Sequence, residues 1–162
     1  MGKSGLGWLE RGAMGQARFR SKTEHILDTK GRLNFPSRFR DVLRNLGSEI
    51  LMIAPWNDHL RAYPLAEWEI LENTLLSNGA ELGDFVRYVV GGVTECTLDK
   101  QGRIRLPPDL RDDVNLDKDV VLTGMLDWVE IWDKDVWDQK HTTTKERFDD
   151  HKAKLTNLGI FA

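Results

Sequence analysis

The chain has 162 residues, 40% hydrophobic and 30% charged, with a formal net charge of −3. That balance fits a folded globular chain of one domain, or of two small halves that share a core, and argues against a uniformly basic nucleic-acid binder. No apolar run approaches the ~20 residues of a membrane span, and a single cysteine, Cys96, precludes an intrachain disulfide and fits a reducing compartment.

Charge is unevenly placed. Residues 1–44 carry ten Lys or Arg against four Asp or Glu, a balance of +6, while the remainder balances at −9. One end is therefore suited to meet phosphate while the rest is repelled, which would orient the molecule on a polyanion.

Taken in chain order, residues 1–19 are expected to form a flexible extension, rich in glycine, with Met14 as a second candidate start. It has neither the apolar segment nor the cleavage site of a secretory signal, so a cytoplasmic location is expected. The opening Gly2-Lys3-Ser4-Gly5 lacks the spacing and preceding strand of a phosphate loop. Residues 22–67 read as a first half. A strand runs to Leu27, and Gly31 supplies the positive φ of a tight turn. A second strand is closed by Pro36, and Phe39, Val42, Leu43 and Leu46 then follow helical spacing. Two further strands and a helix bearing Trp68 complete it. Residues 68–92 read as a helical spacer, with helices over 66–76 and 82–90 parted by Ser77-Asn78-Gly79-Ala80 and ended by Gly91-Gly92. Residues 95–138 read as a second half and 139–162 as a helical tail; the chain is expected to be helical and charged from about Asp133, with Asp133, Asp135 and Asp138 on a solvated helix face.

The two halves are copies. His25 to Arg40 aligns without gaps on Cys96 to Arg111 at a constant offset of 71. Six pairs are identical: Leu27/Leu98, Asp28/Asp99, Gly31/Gly102, Arg32/Arg103, Pro36/Pro107 and Arg40/Arg111. Beyond the helix, Glu49-Ile50-Leu51-Met52 matches Val120-Val121-Leu122-Thr123 at the same offset. Leu60 to Tyr63 then matches Val129 to Trp132 with the second copy two residues shorter. The expected fold is α+β and β-rich.

The chemistry lies in the repeated Asp-x-x-Gly-Arg turn. By strand alternation Leu33 and Phe35 share one face and Arg32 and Asn34 the other; Ile104 and Leu106 likewise oppose Arg103 and Arg105. Arginine can bond the O6/N7 edge of guanine in two places, and a two-stranded ribbon fits the major groove. Lys30 and Lys100 at the turns would add phosphate contacts. Asp28 and Asp99 share the sign of phosphate, so their expected role is to hold the arginine or cap the turn, with Gly31 and Gly102 shaping it. The competing reading of each Asp/Arg pair is a surface ion pair worth ~0 to 1 kcal/mol, and repetition in register weighs against it. No metal or cofactor site is expected: His25, His59, His141, His151 and Cys96 lack metal-ligand spacing. No triad context points to an enzyme. Trp68, Trp132 and Trp137 fall in apolar settings and are expected to pack; Trp8 and Trp56 have no assignment.

These residues resemble the MraZ family over roughly residues 20–140, through Leu27-Asp-Thr-Lys-Gly-Arg32 with Pro36 and Arg40, Tyr63-Pro-Leu-Ala-Glu-Trp68-Glu, Glu95-Cys-Thr-Leu-Asp99-Lys-Gln-Gly-Arg103 with Pro107, and Glu130-Ile-Trp132. The resemblance implies two tandem swapped-hairpin SpoVT/AbrB-like halves forming an intrachain pseudo-dimer. It implies a cytoplasmic, nucleoid-associated repressor of the division and cell-wall gene cluster that binds direct repeats in its own promoter. The partners implied are double-stranded DNA and further copies of the chain in a ring. Within the family the first Asp-x-x-x-Arg, here Asp28 and Arg32, is the one tied to DNA. The N-terminal extension departs from the family pattern. A scaffold or antitoxin-like module of the same fold is the competing function, and outward arginines at both turns favour DNA.

Overall fold

The computed structural model describes residues 17–160. Trp8, Met14 and the glycine-rich opening lie outside the described residues. The elements are β1 Lys22–Ile26, β2 Arg32–Asn34, α1 Ser37–Leu46, β3 Ile50–Pro55, β4 Leu60–Pro64, α2 Leu65–Ser77, a 3-10 turn Gly79–Glu81 and α3 Gly83–Gly92. The second half follows with β5 Thr94–Thr97, β6 Arg103–Arg105, α4 Pro108–Asp113, β7 Asp119–Gly124, β8 Val129–Asp133, α5 Lys134–Glu146 and α6 Phe148–Asn157.

Six strands form one antiparallel sheet in the order β1-β7-β8-β4-β3-β5, and β2 pairs with β6 in a separate ribbon. The order exposes the swap. Strand β1 pairs with β7 of the second half, His25 opposite Val120, while β5 pairs with β3 of the first, Cys96 opposite Leu51. Each half thus completes the other about a pseudo-two-fold that passes between β4 and β8 and between β2 and β6. The fold is α+β, two tandem swapped-hairpin halves joined as a pseudo-dimer within one chain.

Period-two alternation builds the shared core. Leu51, Ile53, Leu60, Ala62, Val120, Leu122, Val129 and Ile131 line one sheet face and pack against Leu33, Phe35, Ile104 and Leu106 of the ribbon region. Each such side chain gains roughly 2 kcal/mol on leaving water, so the ribbon is anchored through its inner face. On the opposite sheet face α2 and α3 cover Ala54 and Tyr63 with Trp68 and Val89. No described helix is long and apolar enough to cross a membrane.

Four expectations need correction. Phe19, assigned from sequence to the flexible extension, is fully buried and its backbone pairs with Leu126. An aromatic side chain anchored in this way cannot belong to a free tail. Gly91-Gly92 does not end the second spacer helix before it: α3 runs through Gly92, where a Cβ would lie 2.7 Å from Cγ of Pro55. Glycine serves close helix-to-strand packing there, and Val93 turns extended to stop the helix.

The two-residue deletion does not fall between the paired strands. Leu51 faces Pro64 and Val120 faces Asp133, so equivalent positions are already offset by 69 at β3 and β7. The shortening lies between the conserved proline and β3/β7, where α1 has ten residues and α4 six. A shift of two keeps every side chain on its own sheet face, which is why the hydrophobic pattern could not reveal it. Finally, Asp133 belongs to no solvated helix face: its carboxylate caps α5 by accepting from the Asp135 N–H and also accepts from the Asp117 N–H.

Candidate nucleic-acid interface

Both turns are closed alike. The N–H of Gly31 donates to the Asp28 carbonyl and that of Asp28 to the Arg32 carbonyl, each at 3.0 Å; the bonds of Asp99, Gly102 and Arg103 are equivalent at 2.9 to 3.0 Å. Closure needs a left-handed residue at the last position, and Gly31 (φ +79°) and Gly102 (φ +76°) supply it. The aspartates organise the rest. One Asp28 oxygen accepts from the N–H groups of Lys30 (2.9 Å) and Arg32 (2.8 Å), and the other accepts from Arg32 Nε at 2.6 Å. Asp99 repeats this with Gln101 and Arg103, each bond at 2.9 Å. Donation from the arginine backbone N–H is the main cause holding both carboxyls below the ordinary aspartate value. The aspartates therefore cap the turns and fix the arginines by their Nε edges.

Strands β2 and β6 join the two turns into one surface. Arg32 lies opposite Arg105 and Asn34 opposite Arg103, while Leu33 opposite Ile104 is buried on the other face. Three arginines and one asparagine thus share the outer face, with a turn at each end of the ribbon. The Arg105 side chain is exposed and, among the described residues, makes no hydrogen bond or ion pair, as is also true of the exposed side chains of Lys30 and Lys100. Arg32 places no Nη in a bond, whereas Arg103 Nη2 donates to Gln101 Oε1 at 3.2 Å. Like charges directly opposite each other weaken a strand pair, so the Arg32/Arg105 pairing is a feature that stability alone disfavours. Of the sequence-derived residues, Arg32, Arg103 and Arg105 converge on one face. Lys30 and Lys100 stand apart at opposite tips. Asn34, which alternation places beside Arg32, was not counted among the contacting residues.

The turns are held by the opposite halves. Phe35 N–H donates to the Gly102 carbonyl at 3.0 Å, and Leu106 N–H to that of Gly31 at 2.8 Å. Arg40 packs its guanidinium over Gly102 while donating to the Phe35 carbonyl, and Arg111 lies over Gly31 while donating to that of Leu106. The exchange redistributes charge. Helix α1, with Arg38, Arg40 and Arg44 against Asp41, is carried to the second turn, where Arg40 and Arg44 share a recess with Lys100 and Gln101. Helix α4, with Arg111 against Asp109, Asp112 and Asp113, meets the first turn. The basic surplus of α1 therefore lies at the second turn and not at the turn of its own repeat.

A second polar cluster occupies the central seam. Arg61 of β4 faces Glu130 of β8 across the pseudo-two-fold, with Nη2 3.9 Å from Oε2. The guanidinium stacks on Trp56 at 3.9 Å and on Trp128 at 5.0 Å. Buried His59 lies 3.3 Å from Glu130 and stacks on Trp132, whose indole N–H donates to Glu130 at 3.0 Å. Burial pushes the Glu130 carboxyl up, but the His59, Trp132 and Arg61 partners outweigh it and leave the group below its ordinary value. Trp56 thereby gains a place, and Trp68 and Trp132 are buried. The charged groups of this cluster are paired within the chain, and it braces the two halves, while the Trp128 indole N–H is buried without a hydrogen-bond partner.

Paired Asp-x-x-Gly-Arg turns, exchanged between tandem halves that share one sheet, define the intrachain pseudo-dimers of AbrB-like units. Comparison with known families narrows the class. The model of the family described as "MraZ protein, putative antitoxin-like" matches residues 19–82 and 89–158. The chain belongs to the MraZ family. It is 41% identical over 150 residues to a transcriptional regulator MraZ of Syntrophobacter fumaroxidans, covering 91% of this chain and 100% of the relative. It is 37% identical to that of Desulforapulum autotrophicum (88% of this chain, 99% of the relative) and 41% identical to that of Desulfitobacterium hafniense (84% and 95%).

Proposed function

We propose that this protein is a sequence-specific transcriptional repressor, not an enzyme, that reads double-stranded DNA with the outer face of the β2/β6 ribbon. The observation that carries the reading is the convergence of Arg32, Arg103, Arg105 and Asn34 on one face of a ribbon whose back is buried. Arginine suits the guanine O6/N7 edge and asparagine the adenine N6/N7 edge, and the ribbon's width suits the major groove. Lys30 and Lys100 at the tips would grip phosphate on either side. The names of the relatives, transcriptional regulators all, agree with this reading.

Family resemblance extends the proposal to direct repeats in the gene's own promoter, ahead of division and cell-wall genes, bound in the cytoplasm at the nucleoid by a ring of copies. Few cations on an acidic background make one contact weak and salt-sensitive. Several copies on evenly spaced repeats compensate through effective concentration. Footprinting upstream of the gene across a salt series tests this. Protection confined to repeats, lost steeply with salt, is the expected outcome; equal affinity for a single isolated repeat and for unrelated DNA refutes it.

A scaffold or antitoxin-like role is the competing reading, because Asp28 and Asp99 already occupy the Nε of both turn arginines. Arg105 has no such partner, so its replacement separates the two.

A further inference from the structure

Helix α6 buries none of its side chains. Phe148, Leu155 and Leu158 fall on one stripe at helical spacing and are 61%, 37% and 74% exposed, with Ile160 just beyond at 50%. A ten-residue helix has little stability in water without an apolar face to pack. Its principal neighbour within the chain is α5. The first half treats the equivalent segment differently: α3 follows α2 and folds back over β3, burying Val89 and packing Phe85 against Trp56.

A complementary surface exists elsewhere on the molecule. Helices α2 and α3 leave an open groove lined by Leu75, Leu76, Val86 and Val90 together with Gly79 and Gly83, and Leu76 is 80% exposed. The groove's border is mainly acidic. Glu69 and Glu72 lie on the groove side of α2 and Glu81 follows in the 3-10 turn, while the nearby cation on α3, Arg87, is paired with Asp84. On α6 the apolar stripe is bordered by Lys152 on one side and Lys154 on the other, by the 100° step of a helix.

We infer that the α2/α3 groove receives α6 of a second copy of this chain, with Phe148, Leu155 and Leu158 entering it and Lys152 and Lys154 meeting the acidic rim. The contact is heterologous, since groove and helix are different surfaces; copies so joined run head to tail and close into a ring when the rotation permits. This rests on the homo-oligomeric part of the reading above and names its interface. It also places the acidic helices between copies and leaves the arginine ribbon outside the junction.

The test uses the full chain and residues already exposed, so folding is spared. Light scattering on Leu158→Glu and on Leu76→Glu is expected to show monomers where the unaltered protein is an oligomer, with circular dichroism losing no more helix than the ten residues of α6. Leu76→Cys and Leu158→Cys, made in separate chains and mixed, should form a disulfide between chains that neither variant forms alone; Cys96 is buried and does not compete. An oligomer that persists in both glutamate variants, or absence of the mixed disulfide, overturns the docking while leaving the oligomer standing. A monomeric unaltered protein overturns both.

Discussion

The guanidinium of Arg40 lies against Gly102, seventy-one positions from its own repeat's glycine, and leaves no room for a side chain there. Arg111 holds the same place over Gly31. The two most regular features of the repeat are therefore parts of one contact made twice, each arginine of one half closing the turn of the other. Gly102→Ala meets both this arginine and a backbone at φ +76°. We expect a loss of roughly 1 to 3 kcal/mol, read as a fall in Tm of several degrees. Arg40→Ala in the same chain should recover only part of it, because the positive φ remains.

Arg105→Ala removes an exposed guanidinium without a partner among the described residues, so stability should be unchanged within ~0.5 kcal/mol. Operator affinity should fall roughly 10-fold or more per contacted unit if Arg105 reads a base. If it grips phosphate, affinity should fall equally on all sequences and the salt slope should drop by about one. Unchanged gel shifts at every salt concentration would support the scaffold reading.

Acid should loosen both turns. The carboxyls of Asp28 and Asp99 titrate below the ordinary aspartate value of 3.8 in the folded protein, chiefly through the Arg32 and Arg103 N–H groups. A depressed folded pKa contributes stability that is present above the unfolded value and is lost as pH falls through the folded one. Carboxyl NMR should report midpoints below 3.8 for both residues, and Asp28→Asn with Asp99→Asn should flatten the stability profile below about pH 4. Ordinary midpoints for either aspartate would contradict the capping geometry.

Cys96 points the other way. Burial, with Glu95 assisting, raises its thiol to about 11. The folded protein should therefore resist thiol reagents at pH 8 and react on unfolding. With the folded pKa raised, the thiol's contribution is intact below the unfolded value near 9 and is lost as pH rises through it toward 11. Rapid labelling of the native protein at pH 8 would contradict its burial.

Glu130→Ala strips Arg61 and His59 of their buried anion and should cost about 3 kcal/mol. Thermal melts of Glu130→Ala, Arg61→Ala and the double variant should show strong coupling; additive losses would mean that the seam pair contributes little.

Much of this was open to reading beforehand, and the reasons differ residue by residue. Gly31 and Gly102 announce their turns because only glycine takes that φ cheaply. Leu33, Phe35, Ile104 and Leu106 announce the ribbon's inner face through alternation alone. Asp28 and Asp99 announce their capping role through the short reach of an aspartate to N–H groups two and four residues on. Arg61 and Glu130 gave no such signal. They hold equivalent positions in the two copies with opposite charges, and they meet only because a two-fold relation sets one copy against the other.

Sequence by itself therefore determined the units: their number, their internal order of elements, the turn chemistry and the side of each strand that is wet. These follow from interactions spanning five residues or fewer, which a linear pattern records. Tertiary structure decided which unit supports which. The exchange of β1 and β5, which the family resemblance implied but no residue pattern records, depends on distances across space, as do the seating of Arg40 on Gly102 and the delivery of a basic helix to one turn and an acidic helix to the other. Residues seventy positions apart leave no periodic mark when they touch.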